Sequence, residues 1–255
     1  MKRIIFIAIT ALVVLSACIS IEDSVQTPPI TNVAYEASDG TVITSYLAMP
    51  AGDGPHPAVL MIHEWWGLNQ DITILANALA QEGYVVLAAD AYRGELATTV
   101  PQALSLTRST PVEQIRGDLD AALDFLKNHP MVEPDSIATM GFCFGGRESM
   151  HLGIRAEGLA GVVTLYGSGL VTDPEELGNL AQNGPVLGIF GENDGSIPLR
   201  EVEEFGDALE ATGAEHTITV YPGVGHAFVK SSSYQDDGAA GQAWDELVAF
   251  FDEVL

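Results

Sequence analysis

Residues 141–146 read Gly-Phe-Cys-Phe-Gly-Gly, with the strand-like run Ile137–Met140 ahead of them and a helical pattern behind. A nucleophile on a sharp strand-to-helix turn needs small neighbours, so that the backbone folds tightly and the reactive atom projects above the sheet. Cys143 stands where the G-x-S-x-G pattern puts serine. The helix N-terminus behind it favours the thiolate, which is the reactive form. Dinucleotide binding is the poorer reading, because the spacing is not G-x-G-x-x-G and the unit is not the first strand. A buried structural cysteine in a tight turn is the plainer alternative.

Two further residues fit Cys143. Asp194 lies in Gly191-Glu192-Asn193-Asp194-Gly195, directly after the strand-like Val186–Phe190, and His226 follows the strand-like Thr217–Tyr221 in a Gly-containing loop. Each member of Cys143…Asp194…His226 follows a strand, so all three can meet at one sheet edge, with His226 as base and Asp194 setting its tautomer. His56, His63, His129, His151 and His216 lack such a context and read as structural or surface residues. His63-Glu64-Trp65 follows the strand-like Ala58–Ile62, where a loop can aim an amide at a developing oxyanion. Trp65 N–H and Phe144 N–H are the expected donors. A zinc-protease reading of His63-Glu64 fails, since Gly67 stands where H-E-x-x-H needs its second histidine. No metal or cofactor is implied.

Glu64 in IHEWWGLN, Arg93 in ADAYRG, Cys143 in GFCFGG, Asp194 in GENDGSIP and His226 in GHAFVKSSSY together resemble the dienelactone hydrolase family, from about Ala58 to the C-terminus. The resemblance implies an α/β-hydrolase fold and an enzyme that opens lactones or cleaves small carboxylic esters through a cysteine acyl-enzyme, as a carboxymethylenebutenolidase does. It implies further that Glu64 holds the resting thiol until substrate displaces it. The family's carboxylate-binding arginines fall on Arg93 and on Lys230. Lysine keeps the charge at the second position but lacks the planar bidentate fork. A surface arginine capping a strand end is the plainer reading of Arg93. Trp65, Trp66, Tyr92 and Tyr234 could wall a pocket or belong to the core. Two rivals stay open: an exported general or carbohydrate esterase, and a non-catalytic lipoprotein of the same fold that binds small anions.

These residues need a scaffold that brings strand ends together. Val33–Ala37 and Val42–Met49, joined around Asp39-Gly40, predict an antiparallel hairpin. Strand-like runs at 58–62, 85–89, 137–140, 162–165, 186–190 and 217–221 then alternate with helical patterns at 72–82, 112–128, 145–156, 199–212 and 241–254. Such alternation predicts one α/β domain over 31–255: a mostly parallel sheet with helices on both faces and the chemistry beyond the carboxyl ends of its strands.

The chain has 255 residues, with 10 Lys plus Arg against 35 Asp plus Glu, a formal charge of −25 that argues against nucleic acid or any other polyanion as partner. Charged residues are only 18% of the chain, so the acidity reflects missing lysines; a saline habitat is one reading and no particular cause the other. Lys2-Arg3 and the apolar run Ile4–Leu15 read as an export signal, too short to span a bilayer. The run ends in Leu15-Ser16-Ala17-Cys18, which resembles a lipobox. Residues 1–17 are therefore expected to be a lipoprotein signal peptide, Cys18 the lipidated anchor in the cell envelope, and residues 18–30 a tether. An ordinary signal peptide cleaved near Ala17 is the alternative. With Cys18 acylated, Cys143 is a free thiol, because the chain has only these 2 cysteines. The expected partners are a small ester or lactone and the membrane, and the domain is expected to be a monomer.

Overall fold

The computed structural model describes residues 30–255. The signal peptide, Cys18 and nearly all of the tether lie outside these described residues.

The chain enters through β1 (Val33–Glu36) and β2 (Val42–Ala48), which pair antiparallel across the expected turn. Gly40 there takes φ +81°, while Asp39 Oδ1 accepts the Thr41 N–H at 2.9 Å. The order then runs β3 (His56–Ile62), α1 (Gln70–Gln81), β4 (Val85–Ala89), α2 (Val100–Ser109), α3 (Val112–Lys127), β5 (Val132–Phe142), α4 (Phe144–Arg155) and β6 (Gly161–Leu165). It continues through a short α5 (Pro174–Leu177), β7 (Val186–Gly191), α6 (Leu199–Thr212), β8 (His216–Tyr221) and α7 (Ala239–Val254).

The strands form one eight-stranded sheet in the order β1-β2-β4-β3-β5-β6-β7-β8. Pairing is parallel from β4 through β8 and antiparallel at β1/β2 and β2/β4, so the hairpin closes one edge of a parallel core. Every residue of β4 and of β6 is buried. Successive side chains of a strand point to opposite faces, so helices cover both faces of the central sheet, as expected.

Two helices lie outside the expected set, α2 and the short α5; α2 is the longer. Of its residues α2 buries only Ala103, with Leu106 partly buried against the core. Its start signal is present all the same, since Gln102 Oε1 accepts the Thr99 N–H at 3.2 Å and Pro101 sits in the first turn.

Candidate active site

Cys143 ends β5 and caps α4 with φ +54° and ψ −112°, a conformation that a non-glycine residue holds only when its surroundings enforce it. The enforcement is steric and polar. The Cys143 N–H donates to Leu165 O at 3.0 Å, and its carbonyl accepts from Arg147 N–H at 3.2 Å. A Cβ on Gly145 would collide with the carbonyls of Ile62 and His63, and one on Gly141 would collide with Gly145. The glycines at 141 and 145 therefore let the turn pack directly on the end of β3.

The histidine and aspartate loops are packed as one unit. Asn193 N–H donates to Val224 O at 2.8 Å, Glu192 N–H to Tyr221 O at 2.9 Å, and a Cβ on Gly191 would meet the Val224 and Gly225 carbonyls. Asp194, with 7% of its surface exposed, accepts Ser196 N–H on Oδ1 at 2.8 Å and His226 Nδ1–H on Oδ2 at 2.7 Å. A carboxylate can only accept there, so Nδ1 carries the proton and Nε2 is left as the basic nitrogen.

Burial pushes the Cys143 thiol up to about 11, with the negative charge of Glu64 as the next cause. The Phe144 and Trp65 N–H groups pull the other way through hydrogen bonds to the sulfur, and these are the two amides expected to face the oxyanion. Burial also raises Glu64, opposed by the neighbouring His226 and Lys230 side chains. Cys143, Glu64, Trp65, Phe144, Asp194, His226 and Lys230 thus act on one another in a single cluster.

Arg93 does not join it. Its guanidinium forks onto Asp118 (Nε to Oδ2 and Nη2 to Oδ1, both 2.7 Å), with further bonds to Asp39 Oδ2 at 2.9 Å and Thr41 Oγ1 at 3.1 Å. Its donors are committed to two carboxylates of the protein, one of them the buried Asp118. Tyr234 packs edge-on against Trp244 with ring centroids 5.1 Å apart, and Tyr92 is buried beside His63 and Phe144. Trp65 and Trp66 pack edge to face at 5.2 Å.

Two further residues at the site were not assigned a role from the sequence. His63, fully buried, donates Nδ1–H to Glu64 O at 2.6 Å and accepts Ala91 N–H on Nε2 at 3.1 Å. One donor and one acceptor fix it as the neutral ring, tying the loop that carries Trp65 to the end of β4. Its ring also stacks on Phe144, at 5.8 Å. Tyr166, fully buried at φ +40°, donates its hydroxyl to Val229 O at 3.0 Å and sets its ring edge-on to His226 at 5.3 Å. Its place after β6, at another strand end, was the available signal. Among the described residues no group of three or more His, Cys, Asp or Glu side chains could hold a metal ion.

Residues 43–255 match the family model described as "Dienelactone hydrolase family". A relative from Methylorubrum extorquens, provisionally named a carboxymethylenebutenolidase, is 33% identical over 232 residues, covering 86% of this chain and 79% of the relative. "Protein usf" of Aquifex pyrophilus is 32% identical over 228 residues, covering 85% of this chain and 96% of its own. A crystal structure from Klebsiella pneumoniae, provisionally described as a dienelactone hydrolase, superposes with a TM-score of 0.74 at 30% identity, covering 87% of this chain and 98% of that one.

Proposed function

The chain belongs to the dienelactone hydrolase family and is a carboxylic ester and lactone hydrolase, and from that premise we propose that Cys143 is its nucleophile, attacking small esters or lactones. His226 Nε2 takes the thiol proton as sulfur attacks the carbonyl carbon, and the carbonyl π pair moves onto oxygen between the Trp65 and Phe144 N–H groups. Collapse of the tetrahedral intermediate expels the alkoxide, which takes the proton back from His226; in a lactone it stays tethered to the acyl group. His226 then deprotonates water, water attacks the thioester, and the carboxylic acid leaves with the Cys143 thiol restored. Asp194 holds the imidazole and stabilises its charged form.

Glu64 sets the resting state. Its charge and the burial of Cys143 keep the thiol protonated, which protects an exported cysteine from oxidation. A substrate that displaces or neutralises Glu64 removes the second of these causes and releases the nucleophile at the moment of binding.

The observation that carries this reading is the coincidence of two things at adjacent strand ends: a cysteine held at φ +54° on a strand-to-helix turn, and a histidine whose Nδ1–H is held by Asp194 at 2.7 Å. Cys143→Ala should lower turnover of a small activated ester by about 10⁴-fold or more. Wild-type protein mixed with the same ester should gain the mass of one acyl group on Cys143. Full turnover by the alanine variant overturns the assignment.

The pairing of Arg93 with Asp118 and Asp39 favours the broader esterase reading, in which Lys230 is a cation acting on Glu64 and the substrate need carry no carboxylate. The sequence Leu15-Ser16-Ala17-Cys18 supports export and lipid anchoring of the domain in the cell envelope. Cys18→Ser should then release the protein from membranes.

A further inference from the structure

We propose that α2 and the loop leading into it form a docking surface for a phospholipid bilayer, placed at the rim of the hydrolase site. The inference does not depend on which residue is the nucleophile. It starts from a helix that sits badly as a core element: of its ten residues α2 buries only Ala103, whereas α1 buries seven of twelve. Val100 and Leu104 face outward, while Leu106 is partly buried against the core. Nine large apolar residues are exposed among the described residues, and four of them, Leu96, Val100, Leu104 and Val112, fall within one stretch of seventeen. Val100 and Leu104 lie one turn apart on the same helix face and are 50% and 37% exposed.

Charge selects the occupant. Residues 96–112 contain no Asp or Glu and a single basic residue, Arg108, in a chain whose formal charge is −25. Every other α-helix of the described domain carries at least one acidic residue. The comparison with the other exposed apolar patch is direct. Leu199, Ile218 and Val220, in the concavity of about 620 Å³ between α6 and β8, are rimmed by Glu203, Asp207 and Glu210. That rim would be repelled by anionic headgroups, and α2 would not. An acid-free amphipathic surface of this kind lies in the interfacial plane of a bilayer, apolar side down.

The length of chain ahead of the domain is consistent with this occupant. Eleven residues lie between Cys18 and Ile30, where the described structure begins, a reach of about 40 Å when extended. An anchor at Cys18 would hold the domain within that distance of the membrane, so a weak docking surface acts at high effective concentration.

The docking surface is joined to the site. Ala97 N–H donates to Trp66 O at 2.9 Å, and the tight turn at Gly67 (φ +91°) leaves room only for the Glu95 carbonyl and Leu96. The segment that meets the bilayer therefore rests on the loop that carries Glu64 and Trp65. This geometry points to esters that partition into lipid as the substrates that gain most from docking.

The test is amide hydrogen exchange on the full chain, with and without vesicles of mixed phosphatidylcholine and phosphatidylglycerol. Exchange over residues 96–109 should slow about tenfold when lipid is at ten times its dissociation constant. In Val100→Ser/Leu104→Ser the protection should vanish while the chain still pellets with vesicles through its N-terminus. Unchanged exchange at 96–109 in vesicle-bound chain overturns the proposal, as does protection that survives the double substitution. Protection that grows with protein concentration in the absence of lipid assigns the face to a second copy and overturns it too. Hydrolysis of a water-soluble ester by the double variant should match wild type, so a failed docking test leaves the hydrolase reading untouched.

Discussion

Cys143 and Arg93 share a backbone feature: each is a non-glycine residue in the left-handed region, at φ +54° and +52°, beyond the carboxyl end of a parallel strand and within two residues of a glycine. Their outcomes differ completely. The backbone of Cys143 is wedged between β3 and β6, with carbonyls so close that no Cβ fits at Gly145, and its side chain faces Glu64 and two amides. The glycine after Arg93, Gly94, has nothing within 4 Å of where a Cβ would stand, and the Arg93 side chain turns toward the hairpin and α3. The same local fold thus builds a reactive centre where the walls are close, and a structural clamp where two carboxylates wait.

The sharpest probe of this contrast is an alanine at each glycine. Gly145→Ala should lose roughly 3 kcal/mol or more in denaturant unfolding, because the added methyl meets backbone carbonyls rather than a flexible side chain. Gly94→Ala should lose only about 1 kcal/mol, the cost of a left-handed residue in open space. Equal losses would mean the two turns are not different in kind.

Arg93→Ala comes next. It leaves the buried Asp118 without its fork and should lower stability by about 2–3 kcal/mol, while the exposed Asp39 arm adds little. The ratio of kcat/KM for a carboxylate-bearing ester over its neutral analogue should stay unchanged. Lys230→Ala should lower that ratio. A fall of the ratio in Arg93→Ala would restore arginine to the substrate site.

His63→Asn tests how the clamp side serves the reactive side, since His63 joins Ala91 of the β4 end to the carbonyl of Glu64. Loss of that tie should loosen the Trp65 amide and reduce kcat about tenfold with KM little changed.

The smallest effect concerns titration. The charge of Glu64 opposes a second negative charge on Cys143, so Glu64→Gln should move the thiol's midpoint below about 11, while burial, the larger cause, keeps it above that of an ordinary cysteine. Iodoacetamide labelling followed against pH reads this directly: the variant should label faster near pH 8. An upward move of the midpoint would contradict the proposed resting state.

Most of the scaffold was legible in the sequence. Strands with continuous apolar runs, such as Val85–Ala89, and helices with a strong apolar stripe, such as Leu199–Thr212, announce themselves by periodicity. The helix α2 did not, because its few apolar positions are interspersed with Pro, Ser and Thr; its capping residues were the clearest trace. At the site, Cys143, Asp194 and His226 were readable because each sits in a glycine-bearing turn directly after a strand. His63 and Tyr166 were not, because their roles lie in hydrogen bonds to residues 28 and 63 positions away.

The sequence by itself determined the order of strands and helices, the turn chemistry at Cys143 and the acidity of the surface, all of which follow from local spacing and composition. Only the tertiary structure decided what each charge does. Arg93 and Lys230 look alike as cations near the ends of strands, yet one is spent on Asp118 and the other faces Glu64. A side chain's chemistry is fixed by its nearest charged and buried neighbours, and those are brought together by strand pairing rather than by adjacency in the chain.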